Sequence, residues 1–215
     1  MNLPPLMLLA MTLLPVTLFG AAHEMVTNKV ADEFTPAAFD TQQIGGLLAE
    51  RMRVNLEGRL LHVNEQAILA GFEHRPGEQE WIGDHAGKFL DAAANTWVST
   101  HDARLKTLMD RVAHSLIAAQ LPDGYLGTYT DDQRWTNWDV WVHKYDLIGL
   151  LSYYRVTGDP AALGTAKKIG DLLVRTFGYR EGQRDILTFG ADTTSLEAAP
   201  QVQPMEELPV TWAGH

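Results

Sequence analysis

The chain has 215 residues, of which 46% are hydrophobic and 20% charged; this composition fits one globular domain and excludes a disordered chain. Its 27 acidic and 17 basic residues give a net charge of -10 and form no basic cluster that could follow a phosphate backbone, which excludes nucleic acid as a partner. Since the chain contains no cysteine, disulfides, thiolate metal sites and a cysteine nucleophile are excluded from it.

The first 22 residues predict an export signal. They carry no charged side chain, have an apolar middle and end in Gly20, Ala21 and Ala22, small residues of the kind that signal peptidase requires. The alternative is an uncleaved anchor, but prolines interrupt a run barely long enough to cross a bilayer core of about 30 Å. We expect a cleaved signal peptide over 1–22 and a periplasmic or secreted protein that has no membrane contact after cleavage.

Residues 23–40 are predicted to be irregular, and helical periodicity then continues to about Phe177. The predicted domain, 41–186, contains about three helical hairpins, the first over Thr41–Gly71. The second hairpin has two apolar stripes at helical spacing, and Ser99 and Thr100 lead into its second helix. These stripes comprise Ala86, Phe89, Leu90, Ala93 and Trp97, then Leu105, Leu108, Met109, Val112, Ala113, Leu116 and Ile117.

The third hairpin repeats this pattern after a turn at Pro122–Gly124. Asp159 is suited to the N-cap of its second helix and Pro160 to the first helical position, and Gly178 ends that helix after Phe177. Its stripes comprise Leu147, Leu150, Leu151 and Tyr154, then Leu163, Ala166, Ile169, Gly170 and Leu173.

The hairpins form a repeat. Asp102 and Asp159 stand at equivalent helix starts and are 57 residues apart, a period typical of stacked or closed arrays of helix pairs. A ring of six such hairpins, the (α/α)6 barrel of many carbohydrate-active enzymes, needs roughly 340 residues at this period. We therefore expect an all-α fold that is an incomplete (α/α)6 barrel.

The tail, 187–215, loses the helical period and contains several prolines. Two explanations remain open. One is an irregular native C-terminus, and the other is a truncated or frame-shifted gene.

The segment WTNWDVWVHKYDL, residues 135–147, contains the first group of candidate site residues. Asp139 and His143 lie at i and i+4, above the apolar stripe of their helix. In a ring of hairpins the first turns of inner helices face one mouth, where Trp138 offers a flat face to a sugar and the polar groups bind hydroxyls. Alternatively, Trp138, Trp141 and Tyr145 are core residues, each with one polar group satisfied locally.

Residues 80–94 contain a second group of candidates. Asp84 is suited to cap the following helix and His85 lies in its first turn, the place that Asp139 and His143 occupy in the next hairpin. The turn at 122–129 is expected to carry Tyr125 and Tyr129 towards the same mouth. The other histidines share no helical face, and we expect no metal site in this chain.

Four segments, in this order, resemble the N-terminal half of the β-L-arabinofuranosidase-like glycoside hydrolases, family 127 and its relatives. They are GDHAGKFLDAAA, QLPDGYLGTY, WDVWVHKYDLIGLLSYYRVTGD and GDLLVRTFG, and the resemblance covers about 43–186. It implies an (α/α)6 barrel that removes terminal arabinofuranose from glycans, with a cysteine nucleophile at a zinc site. Those catalytic groups have no counterpart here, so zinc is expected only in a full-length relative and no cofactor in this chain.

The resemblance also implies histidines at the start of inner helices, and these match His143 and His85. We therefore expect an N-terminal portion of an exported glycoside hydrolase that binds carbohydrate through His143, His85, Asp139, Trp138 and Asp84. No catalytic residue is assigned, and turnover by the isolated chain is not expected. The alternative is a non-catalytic carbohydrate-binding or helical-repeat interaction module; an epimerase or lyase would need its own acid and base pair, which is not evident.

Overall fold

The computed structural model describes residues 42–186, and the regular secondary structure in that range is helical. The predicted signal peptide (1–22), the irregular segment (23–40) and the tail (187–215) lie outside the described residues. The helices are α1 (Gly46–Gly58), α2 (Glu65–Glu73), α3 (Asp84–Thr100), α4 (Ala103–Ala119), α5 (Asp139–Thr157) and α6 (Pro160–Thr176), with single 3-10 turns at Leu60–His62 and Asp131–Gln133.

No β-strand is present within residues 42–186, where β pairing is limited to one isolated bridge between Phe177 and Arg184. None of the helices in this range is long and apolar enough to cross a membrane. The prediction of an all-helical fold is therefore confirmed for this part of the chain.

The helices form two layers. The most extensive helix interface joins α3 to α5, while α4 contacts both α2 and α6. Consecutive helices α3 and α4, and then α5 and α6, pack as hairpins. This is the arrangement expected for neighbouring hairpins of an α/α array, in which alternate helices occupy an inner and an outer layer.

The predicted 57-residue repeat is confirmed at the two helix starts that define it. The Asp102 carboxylate accepts hydrogen bonds from the amides of Arg104 and Leu105, and the Asp159 carboxylate accepts one from the amide of Ala161. These bonds satisfy amides that have no partner inside the helix. Asp102 is therefore the N-cap of helix α4. Ser99 and Thr100, which were predicted to lead into this helix, still belong to α3.

The core lies between the two layers. It follows the predicted stripes in α3 and α4, whereas in α5 only Leu150 of the predicted stripe is buried and the rest is partly buried. In α4 the buried residues are Leu105, Leu108, Met109, Val112, Ala113 and Leu116. Helix α1 differs from this pattern, since its one buried residue is Leu56 and its apolar side chains Leu47 and Leu48 are 71% and 65% exposed.

Two glycines bring α3 and α5 into close contact. A Cβ atom placed on Gly149 of α5 would lie only 2.7 Å from the Cα of Gly87 on α3, so the two backbones touch where other residue types would separate them. The close approach holds α3 against α5, and the first turns of these two helices contain the predicted site residues.

Candidate functional site

Asp84 is the polar centre of the surface between α3 and α5. Its Oδ2 accepts hydrogen bonds from Lys88 Nζ at 2.6 Å and from the indole Nε1 of Trp141 at 2.8 Å. Its Oδ1 has no partner among the described residues, and the Nε2 of His85 lies 3.8 Å from it. The Asp84 side chain is only 4% exposed, whereas those of His85 and Lys88 are 45% and 42% exposed.

This arrangement corrects one prediction. Asp84 is the first residue of α3 and does not cap it, because the N-cap residue is Gly83 and no side chain bonds to the first amides. The carboxylate instead reaches across to α5 and joins the two helices through Trp141.

Aromatic rings cover the same surface. Trp138 and Trp141 meet edge to face with ring centroids 5.8 Å apart, and Trp141 meets Tyr145 in the same way at 5.0 Å. Trp138 and Trp141 are 43% and 37% exposed, and Lys144 Nζ lies 4.1 Å from the centre of the Trp141 ring. We call Asp84, His85, Lys88, Trp138, Trp141 and Tyr145 the aromatic site.

A hydrogen bond joins the turns that precede α3 and α5. The Asn137 amide donates to a Glu80 carboxylate oxygen at 2.9 Å. Asn137 and Trp135 both adopt the left-handed backbone region, with φ of 43° and 67°, which non-glycine residues rarely do. Such strain is held by the surrounding contacts and concentrates at functional sites.

Asp139 makes the contacts that hold the strained backbone of the turn before α5. Its side chain is fully buried; Oδ2 accepts the Trp135 amide at 2.8 Å and Oδ1 accepts the Tyr125 hydroxyl at 2.9 Å. Burial and the nearby Asp139 carboxylate raise the pKa of the Tyr125 hydroxyl far above its usual range, so Tyr125 remains a proton donor. Asp139 therefore fixes the backbone that precedes α5.

His143 is also fully buried and its two ring nitrogens both have protein partners. The Leu126 amide donates to Nε2 at 3.2 Å, so Nδ1 carries the proton and donates to the Asp139 carbonyl at 2.8 Å. Burial lowers the pKa of the His143 imidazole, which is therefore neutral. In this geometry His143 holds the loop that contains Leu126 against α5.

The predicted residues thus divide into two groups. Of these residues, His85 and Trp138 are partly exposed in the aromatic site and Asp84 is almost fully buried in it, whereas Asp139 and His143 have no exposed surface. Sugar contact by any of the five stays a prediction, and for the buried pair such contact requires a movement of the 125–138 segment.

The loop tyrosines do reach the start of α5, as expected, but they are buried there. Tyr129 OH accepts the Trp138 amide at 3.2 Å. Sequence reasoning did not include Lys88, Trp141 and Tyr145 among the site residues, although Trp138 and Trp141 at i, i+3 and Asp84 and Lys88 at i, i+4 are both spacings that place side chains together on one helix face.

The described residues do not fit a zinc site. Within residues 42–186 no three His, Cys, Asp or Glu side chains converge so that they could hold a metal ion, and the sequence has no cysteine to provide thiolate ligands. We therefore derive no chemical step through zinc.

Comparison with known proteins places this geometry in a family. The model of the β-L-arabinofuranosidase, GH127 catalytic domain, matches residues 35–196. A curated relative from Bifidobacterium longum subsp. longum, a non-reducing end β-L-arabinofuranosidase, is 32% identical over 108 residues, which are 45% of this chain and 16% of that protein.

Two solved structures resemble the chain. One is a GH127 β-L-arabinofuranosidase from Geobacillus stearothermophilus T6, with 27% identity, a TM-score of 0.48, and coverage of 62% of this chain and 24% of that one. The other is a GH127 β-arabinofuranosidase, with 17% identity, a TM-score of 0.57, and coverage of 68% and 28%. The second likeness confirms the predicted fold, part of an (α/α)6 barrel.

In every one of these comparisons the chain spans less than a third of the relative's length. The family model nevertheless covers most of the chain, and the predicted resemblance is confirmed. The chain belongs to the family of the β-L-arabinofuranosidase GH127 catalytic domain.

Proposed function

We propose that this chain is the sugar-binding part of an exported glycoside hydrolase that removes β-L-arabinofuranose from the non-reducing ends of glycans. Membership of the family supports the reaction, and the relative from Bifidobacterium longum has that activity in its name. The apolar, uncharged segment 1–22 supports export to the periplasm or the cell exterior.

The aromatic site is the observation that supports a role in sugar binding. It combines exposed indole faces with a carboxylate and two partly exposed side chains, His85 and Lys88, that can bind hydroxyl groups. Ligand sites generally join apolar surface to a few polar groups held in place by the fold. Here the hydrogen bond from Trp141 to Asp84 holds the two kinds of group together.

The chain by itself is proposed to bind without turnover. The family resemblance implies a cysteine nucleophile held at a zinc site with glutamate and further cysteines, and this sequence contains no cysteine. The described residues also lack a cluster of metal-binding side chains. The same observations favour the second candidate function, a non-catalytic carbohydrate-binding module.

Two assays on the full chain test these proposals. The first titrates an arabinofuranosyl disaccharide into wild type, Trp141→Ala and the control Tyr179→Ala, and follows binding by NMR. Tyr179 is a fully exposed aromatic residue outside the aromatic site, so its loss is expected to leave binding unchanged. Saturable binding that Trp141→Ala weakens at least about fivefold supports the site, and binding that is absent, or equal in all three proteins, contradicts it.

The second assay measures release of arabinose from the same disaccharide. No release is expected from the isolated chain. Release above background would show that the chain contains its own catalytic groups and would contradict the proposed division of roles.

A further inference from the structure

Asp146 is a buried acid without a side-chain partner, and the Gly87 backbone amide is close enough to act on its carboxyl group. It lies on the face of α5 that packs against α3, and its side chain has no exposed surface. Neither carboxyl oxygen has a hydrogen-bond partner among the described residues. Burying a charged group without a partner costs several kcal/mol or more, so such a group takes up a proton instead.

A second carboxyl group with a free oxygen lies on the facing helix, three residues before Gly87, whose Cβ position is 2.5 Å from the Asp146 amide nitrogen. Asp84 is buried at the same helix interface, and its Oδ1 has no partner within the described part of the chain. Its Oδ2 already accepts hydrogen bonds from Lys88 and Trp141. What Asp84 lacks is a donor for Oδ1, and a protonated Asp146 is a donor that lacks an acceptor.

The two groups interact electrostatically. Burial raises the pKa of the Asp146 carboxyl well above its usual range, and the charge of Asp84 raises it further, whereas the backbone amide of Gly87 acts in the opposite direction. Among the described residues, Asp84 is the charged side chain whose electrostatic repulsion raises the pKa of Asp146. His85 and Lys88, on the same helix, approach Asp84 itself.

We infer that Asp146 is a positioning residue: as a neutral carboxylic acid it donates a hydrogen bond to Asp84 Oδ1, directly or through one water molecule, and so holds Asp84 against Trp141. The proton stays on Asp146 and no bond is broken. The hydrogen bond is independent of any sugar, and only its consequence for binding depends on the proposed function.

The inference distinguishes Asp146 from a residue that merely fills space. A space-filling role predicts that an apolar side chain of similar size leaves the surroundings unchanged, since removing a buried polar group and replacing it with a well-packed apolar one is often neutral. A positioning role predicts that the same change alters the environment of the Trp141 indole, because the Asp84 carboxylate that binds the indole has lost its hydrogen bond from Asp146.

The first experiment measures the Asp146 carboxyl titration by NMR in the full chain carrying carbon-13 in its aspartates. Asp146 is expected to be protonated at neutral pH, and its pKa is expected to fall by about one unit in Asp84→Asn, which removes the negative acceptor. The matched control is Asp91→Asn, which removes another α3 carboxylate that bonds to α5, through Ser152 at 2.6 Å. It is expected to leave the Asp146 titration unchanged.

The second experiment follows the indole N–H resonance of Trp141. Asp146→Asn keeps a donor of similar size and is expected to leave the resonance in place, whereas Asp146→Leu removes the donor and is expected to shift it. If Asp146→Leu does not fold, the titrations of wild type and Asp84→Asn decide the question alone.

An Asp146 that is ionised at neutral pH, that titrates identically in Asp84→Asn, or whose replacement by leucine leaves Trp141 unchanged would overturn the inference. Failure of the chain to bind arabinofuranosides while the Asp146 titration still responds to Asp84→Asn would contradict the proposed function alone.

Discussion

The indole Nε1 of Trp141 lies 2.8 Å from Asp84 Oδ2 and donates a hydrogen bond to it, although 57 residues separate them in the chain. The bond joins the first turn of α5 to the first turn of α3, and the close glycine contact lies three residues further along α3, at Gly87, and eight residues further along α5, at Gly149. The Trp141 side chain therefore both links the two helices by a hydrogen bond and presents a partly exposed aromatic face.

Trp141→Phe tests the structural part of that role. Phenylalanine keeps the ring contacts to Trp138 and Tyr145 but cannot donate to Asp84. Because hydrogen bonds to charged groups contribute about 1.5–3 kcal/mol when buried, and this one is partly exposed, we expect the free energy of unfolding to fall by about 1 kcal/mol. Urea denaturation measures the change, and an unchanged midpoint would show that the bond contributes nothing.

His143→Ala separates the two roles considered for His143. Contact with sugar predicts weaker binding at little cost in stability. The observed burial predicts a cavity together with an unpaired Leu126 amide, and hence a loss of about 2–4 kcal/mol in the free energy of unfolding. Urea denaturation and arabinofuranoside titration of the same variant measure both effects, and a variant as stable as wild type would refute the structural role.

The pH dependence of stability provides a separate test of His143. Its pKa is lowered in the folded protein, so on acidification the unfolded chain binds a proton before the folded chain does. This contribution to stability is complete above the unfolded value of about 6.5 and is lost as the pH falls towards the folded pKa, by at most about 1.4 kcal/mol per pH unit. Denaturation curves measured at several pH values should show that the free energy of unfolding changes more steeply with pH in wild type than in His143→Gln. An equal pH dependence in the two proteins would contradict the prediction.

Gly149→Ala tests the close contact between α3 and α5. The new methyl group would meet the Gly87 backbone, with Cα at 2.7 Å, and the helices would have to separate at a cost of about 1–3 kcal/mol. Gly164→Ala in α6 is the matched control, because nothing lies within 4 Å of its Cβ position and alanine stabilises a helix interior by up to about 1 kcal/mol relative to glycine. Thermal denaturation should move in opposite directions for the two variants, and equal shifts would be evidence against the packing argument.

Asp159→Ala tests the cap that defines the repeat. The variant loses the hydrogen bond to the Ala161 amide, which is 2.8 Å long, and should be destabilised by about 1 kcal/mol. Asp159→Asn keeps an accepting oxygen and should lie close to wild type. A similar loss in both variants would assign the effect to the contact between Asp159 and His114 Nε2, 3.2 Å away, instead of to the cap.

The helices and their starts were predictable because their signals are local. Apolar residues recur at helical spacing in α4, and Asp102 and Asp159 stand where unpaired amides need an acceptor. Two helix starts were displaced. Ser99 and Thr100 belong to the end of α3, where such polar residues are also tolerated, and α3 itself begins at Asp84 with Gly83 as its N-cap.

The candidate site was predictable only in part. The sequence indicated that the first turns of α3 and α5 belong together, but it did not show which of their side chains would be exposed. Asp139 and His143 are polar and were expected to face a cleft, yet they are buried because Tyr125, Leu126 and Trp135 satisfy them from a loop. Trp138 and Trp141 are apolar and were equally suited to the core, yet they are partly exposed.

By itself, then, the sequence determined the helical hairpins, the caps at Asp102 and Asp159 and the family to which the chain belongs, since the signals for these are short segments of the chain. The tertiary structure decided which side chains form the aromatic site and which support it from below. It could do so because the rotation of α5 is set by the Gly87–Gly149 contact and by loop groups that satisfy its buried polar face, and these partners are distant in sequence.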